Sequence, residues 1–277
     1  MSDNAKKAAA MIKRIMPNFQ PRVGMILGSG LGAVSAQIEN PVIIGYDELP
    51  GFHVSHVEGH GNKLHLGMLK GVPVICFEGR AHTYEGTQEA IAVLRTLVRT
   101  LKLLGGEILL TTNAVGSLRP EVKAGHLVLV SDHINFMFSH PLIGRNDEEF
   151  GERFVAMDNV YDPELRKILR DIAKKQHLPL AEGVYLGNSG PTYETYAEVR
   201  AYKILGADIV GMSTVPEVII ARHCGLRVAT VAFVVNLAAG MSDDIPSHET
   251  TLKNAKFAVD HVANLFLAFV EEFGKTK

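Results

Sequence analysis

Apolar runs of strand length alternate with amphipathic segments of helical period along this 277-residue chain, and no other feature limits its fold so strongly. Val23-Gly24-Met25-Ile26-Leu27 and Val72-Pro73-Val74-Ile75-Cys76-Phe77 read as buried strands, as do 108–112 and 127–130. Further strands are expected near 183–187, 207–210 and 226–235. Residues 4–16 read as a short amphipathic helix ended by Pro17, and Ile91, Leu94, Leu97, Val98 and Leu101 recur at helical spacing across 87–104. Asp162 followed by Pro163 marks an N-cap and a first turn, opening a helix over 162–176. Helices are also expected at 195–205 and 214–223, and a last one to residue 273 with Ser247 as its N-cap. Such alternation implies an α/β fold: one domain over 1–277, with a central mixed, largely parallel sheet flanked by helices. Residues 140–158 form the longest polar stretch without either pattern and are expected to be a mobile or interface loop.

Bulk properties exclude several partners. A hydrophobic share of 47% and a charged share of 21% suit a globular chain with a sizeable core. A net charge of −2 sets up no field toward nucleic acid or an anionic membrane, so any anion site has to be built locally. Cys76 and Cys224 lie in apolar surroundings without C-x-x-C spacing and read as buried free thiols in a reducing compartment. No apolar core of signal-peptide length precedes Lys13 and Arg14. The longest uncharged stretch, 228–242, falls short of the roughly 20 apolar residues of a spanning helix. A cytoplasmic protein is expected.

Polar chemistry is concentrated where the strand at 72–77 runs into Gly79-Arg80-Ala81-His82-Thr83-Tyr84-Glu85-Gly86. Open α/β sheets bind ligands at the carboxyl ends of their strands. Arg suits a bidentate grip on phosphate or carboxylate, and His and Tyr can share hydrogen bonds with a sugar or an oxyanion. A surface turn with an Arg80–Glu85 ion pair accounts for the same residues equally well. Upstream, Gly28-x-Gly30-x-x-Ala33 after a strand fits a dinucleotide-binding turn, with Asp47 or Glu48 near the distance for a ribose. Against that nicotinamide-dependent reading, the segment between Leu31 and Pro41 is short for a crossover helix and no second substrate-domain pattern follows. Backbone N–H groups and the Ser29 hydroxyl meeting a phosphate explain the loop with less. His56-Val57-Glu58-Gly59-His60, near His53, lacks the H-E-x-x-H order, and Gly59 spoils the helix that would align two ligands; no metal site is expected.

Taken together and in order, Leu27-Gly28-Ser29-Gly30-Leu31-Gly32, Gly59-His60-Gly61, the 79–86 cluster, Thr112-Asn113-Ala114-Val115-Gly116 and Gly211-Met212-Ser213-Thr214-Val215-Pro216-Glu217 resemble the trimeric purine nucleoside phosphorylases. The resemblance runs from about residue 26 to 248. It implies phosphorolysis of 6-oxopurine nucleosides by a homotrimer, with inorganic phosphate as co-substrate and no other cofactor, giving free base and ribose 1-phosphate of inverted configuration. By position it makes Ser29, His60, Arg80, His82, the backbone N–H of Ala114 and the Ser213 hydroxyl the phosphate ligands. Tyr84, Met212 and His248 become sugar contacts, with His248 toward the 5′-hydroxyl. Tyr193, Glu194 and Asn236 become base contacts, and Phe154 the aromatic that enters a neighbouring subunit's ribose site.

His82, Glu194 and Asn236 form the set this resemblance assigns to catalysis. Glu194 would accept from N1–H of the base; Asn236 would donate to N7 or O6 and accept at the other atom, and donation at N7 would help most as negative charge gathers in the purine. Methylthioadenosine phosphorylases, which act on a 6-aminopurine, carry aspartate at the position of Asn236. Asparagine therefore implies hypoxanthine or guanine bases, with xanthine added by some bacterial members. The chain departs from the family at Val115 and Ser117, where alanine and glycine are common, and at Tyr193, where phenylalanine is common. Val115 is expected to narrow the base site. A non-catalytic nucleoside-binding module is the remaining alternative, and the complete polar set argues against it.

Overall fold

Nine strands join in one hydrogen-bonded sheet in the computed structural model, which describes residues 2–28, 31–55, 61–242 and 248–276. They are β1 (Val23–Leu27), β2 (Glu39–Gly45), β3 (Lys63–Leu69), β4 (Val72–Glu78), β5 (Ile108–Ser117), β6 (Leu127–Phe136), β7 (Leu180–Asn188), β8 (Ile209–Gly211) and β9 (Arg227–Leu237). Their order is β2-β3-β4-β1-β5-β8-β7-β6-β9, and β9 also pairs with β5, so the last five strands close a ring. Five of the nine pairings are parallel, including the β4–β1–β5–β9 centre. β2, β3 and β4 form an antiparallel arm. The mixed sheet matches the expected α/β class.

Helices α1 (Ser2–Ile15), α2 (Gly32–Ser35), α3 (Thr87–Leu103), α4 (Pro163–Lys175), α5 (Tyr196–Ile204), α6 (Val215–His223) and α7 (His248–Gly274) flank it. Alternation along β1 sends Met25 and Leu27 into the core under α4 and α7, where Leu165, Leu169, Phe266 and Phe269 are buried. Ile26 faces the other way, among Leu97 and Leu101 of α3 and Val218 of α6. Gly24 points to that same side; a Cβ there would lie 2.2 Å from Leu101, so helix and strand approach through its missing side chain. Asp162 caps α4 as expected, accepting from Glu164 N and Leu165 N. Ser247, the expected cap of α7, lies outside the described residues.

Two strands were not expected. β2 contains Pro41, tolerated because β2 is an edge strand that owes hydrogen bonds on one side only. β3 contains His65, whose buried ring bonds Glu78 on β4 at 2.7 Å, a polar pair that breaks the apolar signal. Their placement corrects the dinucleotide reading. α2 is a single turn, and the strand after it lies three places from β1 and antiparallel to its neighbour, so no βαβ unit follows the glycine loop. Among the described residues, no helix is long and apolar enough to cross a membrane and no cluster of residues could hold a metal ion. The His56–His60 cluster falls outside them.

Candidate active site

A gap in the β5 ladder sets the position of the site. β1 pairs with β5 as far as Thr111, and β8 takes over the same edge only at Gly116. Between them that edge of β5 has no strand partner among the described residues, although β9 continues to pair on the other side. Thr112 O bonds Arg80 across the gap, and Ala114 O faces β8, lying 3.2 Å from where a Cβ of Gly211 would stand. Strand geometry aims the N–H of a residue to the same side as its carbonyl, so the Ala114 N–H also faces the gap.

Beneath the gap lies a buried charged network. Arg80 leaves β4 through Gly79, and its side chain is 1% exposed. Its Nη1 bonds Glu217 of α6 and, at 3.1 Å, Thr214 Oγ1; its Nη2 bonds Thr112 O. The alternative reading, a surface pair with Glu85, does not form. Thr214 Oγ1 also accepts from Asn113 Nδ2 at 2.7 Å and lies 3.1 Å from Ser213 Oγ. Arg and Asn amide nitrogens only donate, so both lone pairs of Thr214 Oγ1 are used and its proton goes to Ser213 Oγ. Ser213 keeps its own proton to donate elsewhere. Thr214 holds φ +73° and ψ −50°, and Val215 N bonds Ser213 O at 2.8 Å: a tight turn of the rare, strained kind. That turn ends β8 and starts α6.

The 79–86 cluster folds into a short turn after β4. His82 Nδ1 lies 3.3 Å from Glu85 Oε1, which also accepts from His82 N, while Ser55 Oγ donates to the other oxygen. Burial works to raise the Glu85 carboxyl, but these bonds outweigh it and hold it down to about 2. Glu85 is thus an acceptor only, which fixes the proton of the pair on Nδ1. The His82 ring stacks on Tyr84 with centroids 4.8 Å apart. Burial pushes the Tyr84 phenol up to about 12, so it stays a neutral donor.

The opposite wall comes from β7 and β9. After β7, Gly190 sits at φ +62°, and a Cβ there would meet Met212 Sδ at 2.5 Å and the Tyr84 ring at 3.2 Å. This bare backbone brings the turn after β4, the end of β8 and the loop after β7 into one place. Four residues on, burial raises the Glu194 carboxyl, against its hydrogen bonds. A register shift between β5 and β9 places Asn236 opposite Gly116, where a Cβ would lie 3.1 Å from Asn236 Oδ1.

A profile of the phosphorylase superfamily matches residues 22–271. Purine nucleoside phosphorylase 1 of Bacillus subtilis is 47% identical over 253 residues, covering 91% of this chain and 92% of its own. The structure of Schistosoma mansoni purine nucleoside phosphorylase in complex with inosine superposes with a TM-score of 0.91 at 36% identity, covering 98% and 96% of the two chains. Isoform 2 from the same organism, in complex with cytosine and ribose-1-phosphate, gives 0.91 at 38% identity over 97% and 96%. The chain belongs to the purine nucleoside phosphorylases of the phosphorylase superfamily.

Against the positions expected for a purine nucleoside phosphorylase, Ala114, Ser213 and Asn236 lie on or beside the β5 segment 113–116, while His82, Tyr84, Met212 and the loop carrying Glu194 meet around Gly190. Arg80 forms the floor, with its terminal nitrogens turned into the protein. Ser29 and His60 lie outside the described residues, as does the side chain of His248, which opens α7. Val115, expected to narrow the base site, is 1% exposed and packs into the core under α3 and α6. Tyr193 is 38% exposed, at the site's outer edge. Phe154 is 88% exposed on the connection between β6 and α4. Sequence reasoning missed Glu217 and Thr214 as the supports of Arg80 and Ser213. A signal for Glu217 existed: it is the one carboxylate in the apolar run 215–221, and a carboxylate there needs a buried partner. Nothing in the sequence marks a threonine for a left-handed backbone.

Proposed function

We propose that this enzyme cleaves 6-oxopurine ribo- and deoxyribonucleosides, inosine and guanosine foremost and xanthosine as a third candidate, with phosphate as the nucleophile. Phosphate sits at the β5 gap, held by the Ala114 N–H, the outward Ser213 hydroxyl and His82, above the buried charge of Arg80. Ser29 and His60 complete the set by family position. Each charge-assisted hydrogen bond contributes roughly 1.5–3 kcal/mol. Holding the anion in line with C1′ removes much of the entropic barrier to attack.

A phosphate oxygen forms the new bond to C1′ on the face away from the base while the C1′–N9 bond breaks. The bonding pair flows into the purine, and the Asn236 amide meets it at N7, where donation strengthens most in the transition state. Glu194 accepts from N1–H and so reads the 6-oxo tautomer. Tyr84 and Met212 hold the ribose, with His248, and Tyr193 covers the base. Inversion at C1′ yields ribose 1-phosphate. No further cofactor is needed, and the whole chain acts as one domain in a cytoplasmic homotrimer.

The observation that best supports this reading is the bare backbone at Gly190, which lets the sugar-binding pair Tyr84 and Met212 meet the loop carrying Glu194. The test is release of hypoxanthine from inosine with and without inorganic phosphate. Release that depends on phosphate is expected. Equal release without phosphate, or none in its presence, overturns the reading.

A further inference from the structure

Glu194 is not alone at the base end. Asn188, the last residue of β7 and 9% exposed, donates from Nδ2 to Glu194 Oε1 at 2.8 Å. Its Oδ1 accepts from Gly190 N at 2.9 Å. One partner can only donate and the other, as a carboxylate, can only accept, so the amide has a single orientation that satisfies both. The same side chain thereby fixes the turn that admits Met212 and Tyr84 and the carboxylate that faces the base. We propose that Asn188 is a positioning residue that keeps Glu194 an acceptor and through it sets the preference for 6-oxo over 6-amino bases. This rests on the phosphorolysis reading above.

The chemistry follows from the two forms of Glu194. An ionised carboxylate accepts from the N1–H of a 6-oxopurine and repels the N1 lone pair of a 6-aminopurine. A protonated carboxyl does the reverse, donating to that lone pair. Burial pushes Glu194 toward the protonated form, and its own backbone N–H and then the Asn188 amide pull it back. Among the described residues, the other titratable groups acting on it come from α5: Glu198 raises it further, and Tyr202 is neutral, its phenol raised by burial. Asn188 is therefore the side chain that opposes protonation, and its removal should be felt first at low pH.

The experiment measures kcat/KM against pH for inosine and adenosine in the wild-type enzyme, Asn188→Ala and Asn188→Asp. The aspartate variant keeps the shape and the bond to Gly190 N but replaces the donor to Glu194 with a second carboxylate, so it guards against simple loss of fold. Ionisation of phosphate is common to all three proteins and cancels in the comparison. Expected is a loss of about tenfold or more for inosine at neutral pH, as for a hydrogen bond to a charged group. The acid limb should move to higher pH, further in Asn188→Asp than in Asn188→Ala. The adenosine-to-inosine ratio should rise below pH 6. A merely structural role lowers kcat and leaves the acid limb and the base ratio where they were; that result in both variants overturns the inference. Wild-type enzyme inactive on inosine with phosphate instead overturns the phosphorolysis reading itself.

Discussion

Thr214 organises more of this site than the residues whose chemistry is easier to recognise. Its hydroxyl takes bonds from Arg80 and Asn113 and passes its proton to Ser213, while its strained backbone turns β8 into α6. Thr214→Val removes both lone pairs and the relayed proton, and we expect the KM for phosphate to rise at least tenfold with that for inosine little changed. Glu217 is fully buried against Arg80, so Glu217→Ala removes the buried carboxylate paired with its guanidinium. A loss of about 3–5 kcal/mol in urea denaturation is expected. Asn236→Asp replaces an amide donor by an acceptor at the base. The ratio of adenosine to inosine turnover should rise, and an unaltered ratio removes Asn236 from base selection. These three residues differ in legibility. Asn236 was singled out by family position, whereas the bonds that Thr214 and Glu217 make to Asn113 and Arg80 join positions more than 100 apart.

At the level of elements, strands and helices with internal periodicity were legible in place, although β5 and β6 run five and six residues past their expected ends, and α4 is the plainest case. Asp162 accepts two backbone N–H bonds of its first turn and pairs with Arg227 on β9. Burial works to raise its carboxyl, but the Arg227 and backbone bonds win and hold it below the usual carboxylate range. The sign follows: its stabilising effect is fully present above the unfolded value near pH ~3.9 and is lost as pH falls through the lower folded value. Asp162→Ala should cost about 1 kcal/mol at pH 7 and progressively less toward pH 2, read from Tm against pH. β2 and β3 were not legible, since an edge-strand proline and a buried His–Glu pair each break the apolar signal while the sheet tolerates both.

For the whole molecule, the connection between β6 and α4 leaves Phe138, Ile143 and Phe154 exposed at 88%, 75% and 88%. Large apolar groups left exposed along one connection, on a chain of −2 net charge, suit a surface that another copy covers. A homotrimer predicts a light-scattering mass three times that of one chain. If Phe154 enters a neighbour's sugar site, Phe154→Ala should raise the KM for inosine while leaving that for phosphate near wild type. A fully active monomer would remove both expectations.

By itself the sequence determined the α/β class, most strands and helices, and the ordered motifs that place the chain among the purine nucleoside phosphorylases. Those are local matters of period, capping and functional groups, each carried by a few consecutive residues. Only the tertiary structure decided that one edge of β5 has no strand partner among the described residues between β1 and β8, that Arg80 turns inward to Glu217, and that Val115 packs into the core rather than the site. Ladder gaps, buried ion pairs and the face a side chain takes depend on partners brought together by folding, and no run of neighbours in the chain encodes them.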